Sequence, residues 1–214
     1  MTGDGDGEPD DAALRTVAGR GRDAFEVAGS EFIGHAAPAR TVEEAEAFVS
    51  EVRGAHPDAT HNVPAYRVRV DDGGFLREYT SDEDEPSGSA GKPALNVLQQ
   101  RDLENVVIVV TRYYGGTNLG VGGLARAYGR ATKLAVEAAG VVERVPLTRV
   151  VVETVYDDSG TVRGILESEG VDFEADYGER VRFDALVPRG RADAVRDRLR
   201  SATSGRAEVR GDDG

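Results

Sequence analysis

Residues 111–132 read TRYYGGTNLGVGGLARAYGRAT, with five glycines between positions 115 and 123. The stretch follows the β-branched run Val106–Val110 and leads into a helical pattern at Leu124–Ala139. A nucleotide P-loop needs a lysine and a hydroxyl residue after its glycines, to reach phosphates and magnesium. Here Gly122-Gly123 is followed by Leu124-Ala125, so that motif is excluded. A dinucleotide fingerprint needs a different glycine spacing, in the first turn of a doubly wound parallel sheet. Two readings stay open. In the structural one, Gly115 and Gly116 supply a turn, while Gly120, Gly122 and Gly123 let a helix start pack on a strand. In the functional one, exposed N–H groups at the helix start join Arg112, Tyr113 and Tyr114 with Arg126, Arg130 and Lys133, spaced i, i+4 and i+7. Such a surface holds phosphate and stacks a base.

Upstream, residues 23–37 predict two short strands around Gly29-Ser30. Thr41 followed by Glu44 is a capping-box pattern, and Val42, Ala45, Phe48, Val49 and Val52 share one helical face that ends near Gly54. VPAYRVRV (63–70) alternates as a half-buried strand, with FLREYT (75–80) as its hairpin partner across Asp71–Gly74. A loop, SDEDEPSGSAGK (81–92), leads to a helix starting at Pro93 and running to Gln100. The run Val106–Val110 suits a strand buried on both faces. After Pro146 the order is a strand at 148–156, a helix at 161–168, strands at 171–177 and 180–187, a helix at 192–201 and a strand at 206–210. That βαββαβ order is the ferredoxin-like split βαβ. The fold class is therefore α+β in two domains, 21–145 and 146–214, preceded by an acidic, glycine-rich tail at 1–20 that is expected to be disordered.

The chain has 214 residues, a net charge of −13 and no cysteine. Disulfides, thiolate nucleophiles and sulfur-ligated zinc are excluded, no segment is apolar enough to span a membrane, and a cytoplasmic location is expected. Lys92 and Lys133 are the only lysines among 26 basic residues, and the acids are spread along the chain. This composition suits concentrated salt, so local basic patches are more informative about partners than net charge. Stability is expected to rise between dilute buffer and molar potassium chloride. A flat series of unfolding midpoints would remove the halophilic reading.

Beyond spacing, TRYYGGTNLGVGGLARAYGRAT, preceded by SDEDEPSGSAGKPALNVL and HNVPAY, resembles the signature of the YigZ/IMPACT family. That signature reads D-D-G-E-P-x-G-T-A-G-x-P, then V-T-R-Y-F-G-G-x-x-L-G-x-G-G-L-x-R-A-Y. The resemblance covers about Ser30 to Gly140, and the second half is similar to the ferredoxin-like domain appended to bacterial and archaeal members. Glu83-Asp84 replaces Asp-Gly, Ser89 replaces threonine and Tyr114 replaces phenylalanine. Asp84 keeps the turn if it adopts left-handed geometry, which Asp tolerates better than most residues. The resemblance implies a first domain with the fold shared by a small-subunit ribosomal protein and domain IV of elongation factor G. It also implies a translation or RNA-binding theme, since eukaryotic relatives regulate translation initiation.

The expected function is non-catalytic, with RNA or a ribosome or translation-factor partner, no cofactor and no metal. Arg112, Tyr113, Tyr114, Gly115, Gly116, Gly122, Gly123, Arg126, Arg130 and Lys133 form the expected anion-binding set. The alternative is an enzyme acting on a small phosphorylated or peptide-like substrate between the two glycine-rich loops. Glu85 would then be the general base, Ser87 or Ser89 its helper, and His61 and Asn62 cleft residues. The rest of the acidic run 82–85 is read as solvated loop. The two helix starts, converging on one cleft, would make an anion site.

Overall fold

In the computed structural model, which describes residues 13–70 and 75–211, the run VVIVV forms the first five residues of the central strand of a five-stranded antiparallel sheet. The strands are β2 (Gly21–Val27), β3 (Ser30–Pro38), β6 (Val106–Tyr113), β4 (His61–Arg69) and β5 (Leu76–Thr80), in that spatial order. Side chains alternate across β6, and both sets are apolar because both faces are covered. Val106, Ile108 and Val110 join one core with α2 (Gly91–Gln100) and α3 (Gly120–Ala139). Val107 and Val109 join another under α1 (Val42–Ala55).

Helix α1 starts as its sequence requires: Thr41 Oγ1 accepts from the Glu44 N–H at 3.1 Å. The Glu44 carboxylate reaches back one residue further than a capping box needs, accepting from the Arg40 N–H at 2.6 Å. The two other helices against this sheet start earlier than expected. Helix α2 begins at Gly91, not Pro93, and α3 begins at Gly120, so that Gly122 and Gly123 belong to its first turn.

The tight packing of helix on strand comes from elsewhere. A Cβ on Gly34 of β3 would lie 2.3 Å from the Ala131 carbonyl oxygen, and one on Gly21 of β2 would lie 2.3 Å from the Ala139 nitrogen. Alanines on α3 meet glycines on the sheet, and the backbones approach closely. The first-turn glycines do not carry this packing: Gly122 faces open space apart from the Arg126 guanidinium.

Part of the expected N-terminal tail is structured. Residues 1–12 lie outside the described residues, as do the hairpin turn 71–74 and the terminal 212–214. Leu14–Val17 forms β1, paired antiparallel with β7 (Val141–Arg144). The cause is burial: Val17 is fully enclosed in the α3-side core, and Thr16 Oγ1 donates to the Asn105 carbonyl at 3.1 Å.

The chain divides into two compact units between Arg144 and Val145. The second unit contains β8 (Leu147–Thr154), α4 (Tyr156–Glu169), β9 (Asp172–Tyr177), β10 (Val181–Pro188), α5 (Ala192–Ala202) and β11 (Glu208–Gly211). Its sheet order, β11-β8-β10-β9, is the split βαβ arrangement. Helix α4 starts five residues before the expected Thr161, because Asp157 and Asp158 in its first turn favour the helix dipole. Val150, Val152, Phe183, Ala185, Val162, Leu166, Val195 and Leu199 build the core. Arginine–acid pairs such as Arg149–Asp184, Arg182–Glu153 and Arg180–Glu208 connect its strands at positions that are largely exposed. Pairs so exposed contribute little stability. Among the described residues no helix is long and apolar enough to cross a membrane.

Candidate functional site

The end of β6 distributes its side chains to opposite sides of the sheet. Arg112 turns towards α2 and α3 and is only 4 % exposed. Its Nη1 donates to Glu85 Oε1 at 2.6 Å and its Nη2 to Ser30 Oγ at 3.4 Å. Tyr128, on the buried face of α3, donates its hydroxyl to the same Glu85 oxygen at 2.8 Å. Burial, then this hydrogen bond to a carboxylate, push the Tyr128 hydroxyl well above the ordinary tyrosine range. His61 completes the group, with Nε2 3.7 Å from Glu85 Oε1, while its Nδ1 lies 2.6 Å from the Glu83 carbonyl. A carbonyl only accepts, so Nδ1 carries a proton.

This network organises the glycine-rich turn. Ser30 Oγ accepts from the Gly115 N–H at 3.1 Å. Gly115 itself lies against the β2–β3 turn so closely that a Cβ would be 1.8 Å from the Gly29 carbonyl oxygen. Arg112 is therefore withdrawn from solvent, neutralised by Glu85, and acts by holding the turn; it does not offer its charge to a ligand. Tyr113 is directed to the other face, where its hydroxyl lies 2.9 Å from His56 Nδ1. Tyr114 is exposed, with its hydroxyl on Asn118 Oδ1 at 3.1 Å and its ring 5.3 Å from the Arg112 guanidinium.

The acidic loop is also ordered, and by its own first acid. Asp82 Oδ1 accepts from the N–H groups of Ala90 and Gly91, and Oδ2 from that of Gly88. Burial pushes the Asp82 carboxyl up, but the three backbone donors together outweigh it and hold it below the ordinary range. Glu83 and Asp84 take φ of +46° and +67°, so Asp84 keeps the left-handed turn where the family signature has glycine. The expectation of two open helix starts is corrected here. Asp82 occupies the start of α2, and the start of α3 remains.

That start is open. Helix α3 has no side-chain cap and no acid in its first turn, and it is entered through Gly120 at φ +68°. Gly116 and Gly122 are exposed beside it, and Gly123 is half-buried under Leu119. Arg126, Arg130 and Lys133 are all exposed along α3 and form no ion pair among the described residues. Arg130 stacks on the Phe25 ring at 4.1 Å. No acid occurs from residue 105 to residue 136, in a chain with 39 of them.

Of the cleft candidates, Glu85 and His61 are brought together. Asn62 points to the opposite face, accepting from Thr111 Oγ1 at 2.7 Å. Ser87 is exposed, and Ser89 is fully enclosed with its Oγ lacking a hydrogen-bond partner. Sequence reasoning missed Ser30, Asp82 and Tyr128 as parts of the network. Tyr128 had a legible signal: a tyrosine on the apolar stripe of an amphipathic helix needs a buried partner for its hydroxyl.

Together these features define a two-unit α+β protein whose ordered glycine-rich turn opens onto an uncapped, cationic helix. The Impact N-terminal domain model matches residues 28–136, and a model for a domain of unknown function, DUF1949, matches residues 152–206. IMPACT family member YvyE of Bacillus subtilis is 34 % identical over 196 residues, which are 91 % of this chain and 89 % of that protein. IMPACT family member YigZ of Escherichia coli is 35 % identical over 164 residues, 76 % of this chain and 80 % of that one. A crystal structure described as that of a hypothetical protein aligns with a TM-score of 0.65 at 30 % identity, covering 92 % of this chain and 96 % of the other. The chain belongs to the IMPACT family.

Proposed function

We propose that this protein is a non-catalytic, translation-associated regulator that binds RNA through the N-terminal part of α3. The observation that carries the reading is the uncapped α3 start in line with Arg126, Arg130 and Lys133, which make no ion pair among the described residues, inside the acid-free stretch 105–136. Backbone N–H groups and guanidinium groups supply phosphate contacts, and exposed Tyr114 supplies a face for base stacking. The link to translation rests on the family resemblance. The enzymatic alternative has less support. Glu85 Oε1 already accepts from Arg112 and Tyr128, and among the described residues no serine hydroxyl is hydrogen-bonded to a histidine or carboxylate. A serine nucleophile needs such a base.

The test is fluorescence anisotropy with labelled single-stranded RNA, and sedimentation with isolated ribosomal subunits, each across a potassium chloride series. Arg126→Ala/Arg130→Ala is expected to weaken RNA binding and to reduce the slope of log K against log salt by about 1.4, since each neutralised phosphate on a single strand contributes ~0.7. Binding and slope unchanged in the double variant, or turnover of a small substrate that Glu85→Gln abolishes in a folded protein, would refute the reading.

A further inference from the structure

On the sheet face opposite α3 lies a second pocket, a cavity of about 220 Å³ between α1 and the strands β2 and β3. Its α1 wall is apolar where Phe48, Val52 and Ala55 line it. His35 lines it as well. That side chain is nine-tenths buried, and its Nε2 has no hydrogen-bond partner. A buried ring nitrogen without a partner is costly, and such groups call for explanation by an absent water or ligand. Directly across the β2–β3 ladder, Arg22 pairs in register with His35 and lines the same cavity. Arg22 is exposed and makes no ion pair among the described residues. Arg20, at the edge, is different: its guanidinium lies over the Phe48 ring and is held by both oxygens of Glu51, at 2.5 and 2.8 Å.

The geometry points to a binding site for a small organic carboxylate, with its charged end between Arg22 and His35 and its apolar body against Phe48 and Val52. Size limits the ligand: a cavity of roughly 150 Å³ holds benzene, and drug-sized ligands need about 300 Å³ or more. The apolar α1 wall disfavours a bare inorganic anion, and the free guanidinium disfavours a neutral apolar guest. The site is independent of the proposed RNA surface on α3.

Binding there is linked to protons. In the free protein His35 is pushed down to about 4, first by burial and then by the neighbouring His56 and Arg22. The other titratable groups around it are Glu51, paired with Arg20, and Tyr113, hydrogen-bonded to His56. A carboxylate beside the ring favours its protonated form. Affinity is therefore expected to rise as pH falls from 7.5 to 5.5, a range above that in which the carboxylate itself protonates, with proton uptake on binding.

The experiment is a titration of the full ¹⁵N-labelled chain with benzoate, benzyl alcohol and inorganic phosphate in parallel, followed by amide shifts. Calorimetry in two buffers of different ionisation enthalpy then reads proton uptake. Expected are saturable benzoate shifts centred on His35, Ala36 and Val52, at least tenfold weaker binding of benzyl alcohol and phosphate, and proton uptake at pH 5.5. Arg22→Gln, an exposed change whose folding the same spectra report, should weaken benzoate at least tenfold. The proposal is overturned by no saturable benzoate shift at pH 5.5, since the cavity is then only hydrated. Equal binding of benzyl alcohol or phosphate, shifts centred on α3, or full affinity in folded Arg22→Gln overturns it as well.

Discussion

Glu85→Ala is expected to destabilise the N-terminal unit by about 3–5 kcal/mol, the cost of stranding one member of a buried ion pair. The side chains of Arg112 and Glu85 are 5 % and 4 % exposed, so neither water nor salt can replace the missing charge. Two donors lose their hydrogen-bond partner at once: the Arg112 guanidinium and the Tyr128 hydroxyl. The distinguishing feature is reversal. Replacing the whole set, as Glu85→Leu/Arg112→Met/Tyr128→Phe, should recover most of the loss, because an apolar cluster of similar volume leaves nothing unsatisfied. Urea unfolding followed at the β6 amides by NMR measures both, without assuming that the two units unfold together. If Glu85→Ala costs less than about 1 kcal/mol, the network is not as closed as described. If the triple variant is stable but has lost RNA binding, the network's role is to shape the Gly115 turn.

The second large effect comes from a residue with no functional group. Gly34→Ala places a Cβ 2.3 Å from the Ala131 carbonyl oxygen and 3.0 Å from the Ala135 Cβ. The obstacle is helix backbone, which cannot rotate away, so α3 must shift off the sheet. Overpacking of this kind costs about 1–3 kcal/mol and more where backbone blocks relief. Thermal unfolding should place Gly34→Ala at the upper end of that range. Gly122→Ala should behave in the opposite sense. It lies in the first turn of α3 with open space around it, and alanine is a better helix former by up to about 1 kcal/mol. If Gly122→Ala stabilises the protein yet weakens RNA binding, Gly122 serves the close approach of a phosphate. If both stability and binding are kept, that glycine is architectural.

Much of the fold was legible because it depends on local pattern. The apolar run of β6, the Thr41 cap of α1, the glycine after α4 and the βαββαβ order of the second unit all follow from periodicity, capping chemistry and turn residues. Gly170 indeed closes α4 at φ +65°. The helix starts were less legible. Nothing in the local composition says that Asp82, nine residues before Gly91, will accept from its N–H and draw α2 two residues earlier. Strand β1 was missed for a related reason. Four residues beside an acidic tail carry too little pattern, and β1 exists through its pairing with β7, more than 120 residues away.

The candidate site divides in the same way. The residue types were visible in order along the chain: the glycine-rich turn, the stripe Arg126, Arg130 and Lys133, and the acidic loop ending at Glu85. Their accessibility was not, since it depends on which face of β6 each side chain takes and on what packs there. Alternation separated Arg112 from Tyr113, and burial against Glu85 turned the most conspicuous arginine of the motif into a support. The cavity at His35 had no sequence signal at all. Local propensity and hydrophobic period specify elements, because those forces act between near neighbours. Charge pairing, close approach at glycine and the reach of a carboxylate act between residues that are distant in sequence, so they become defined only when the chain has folded.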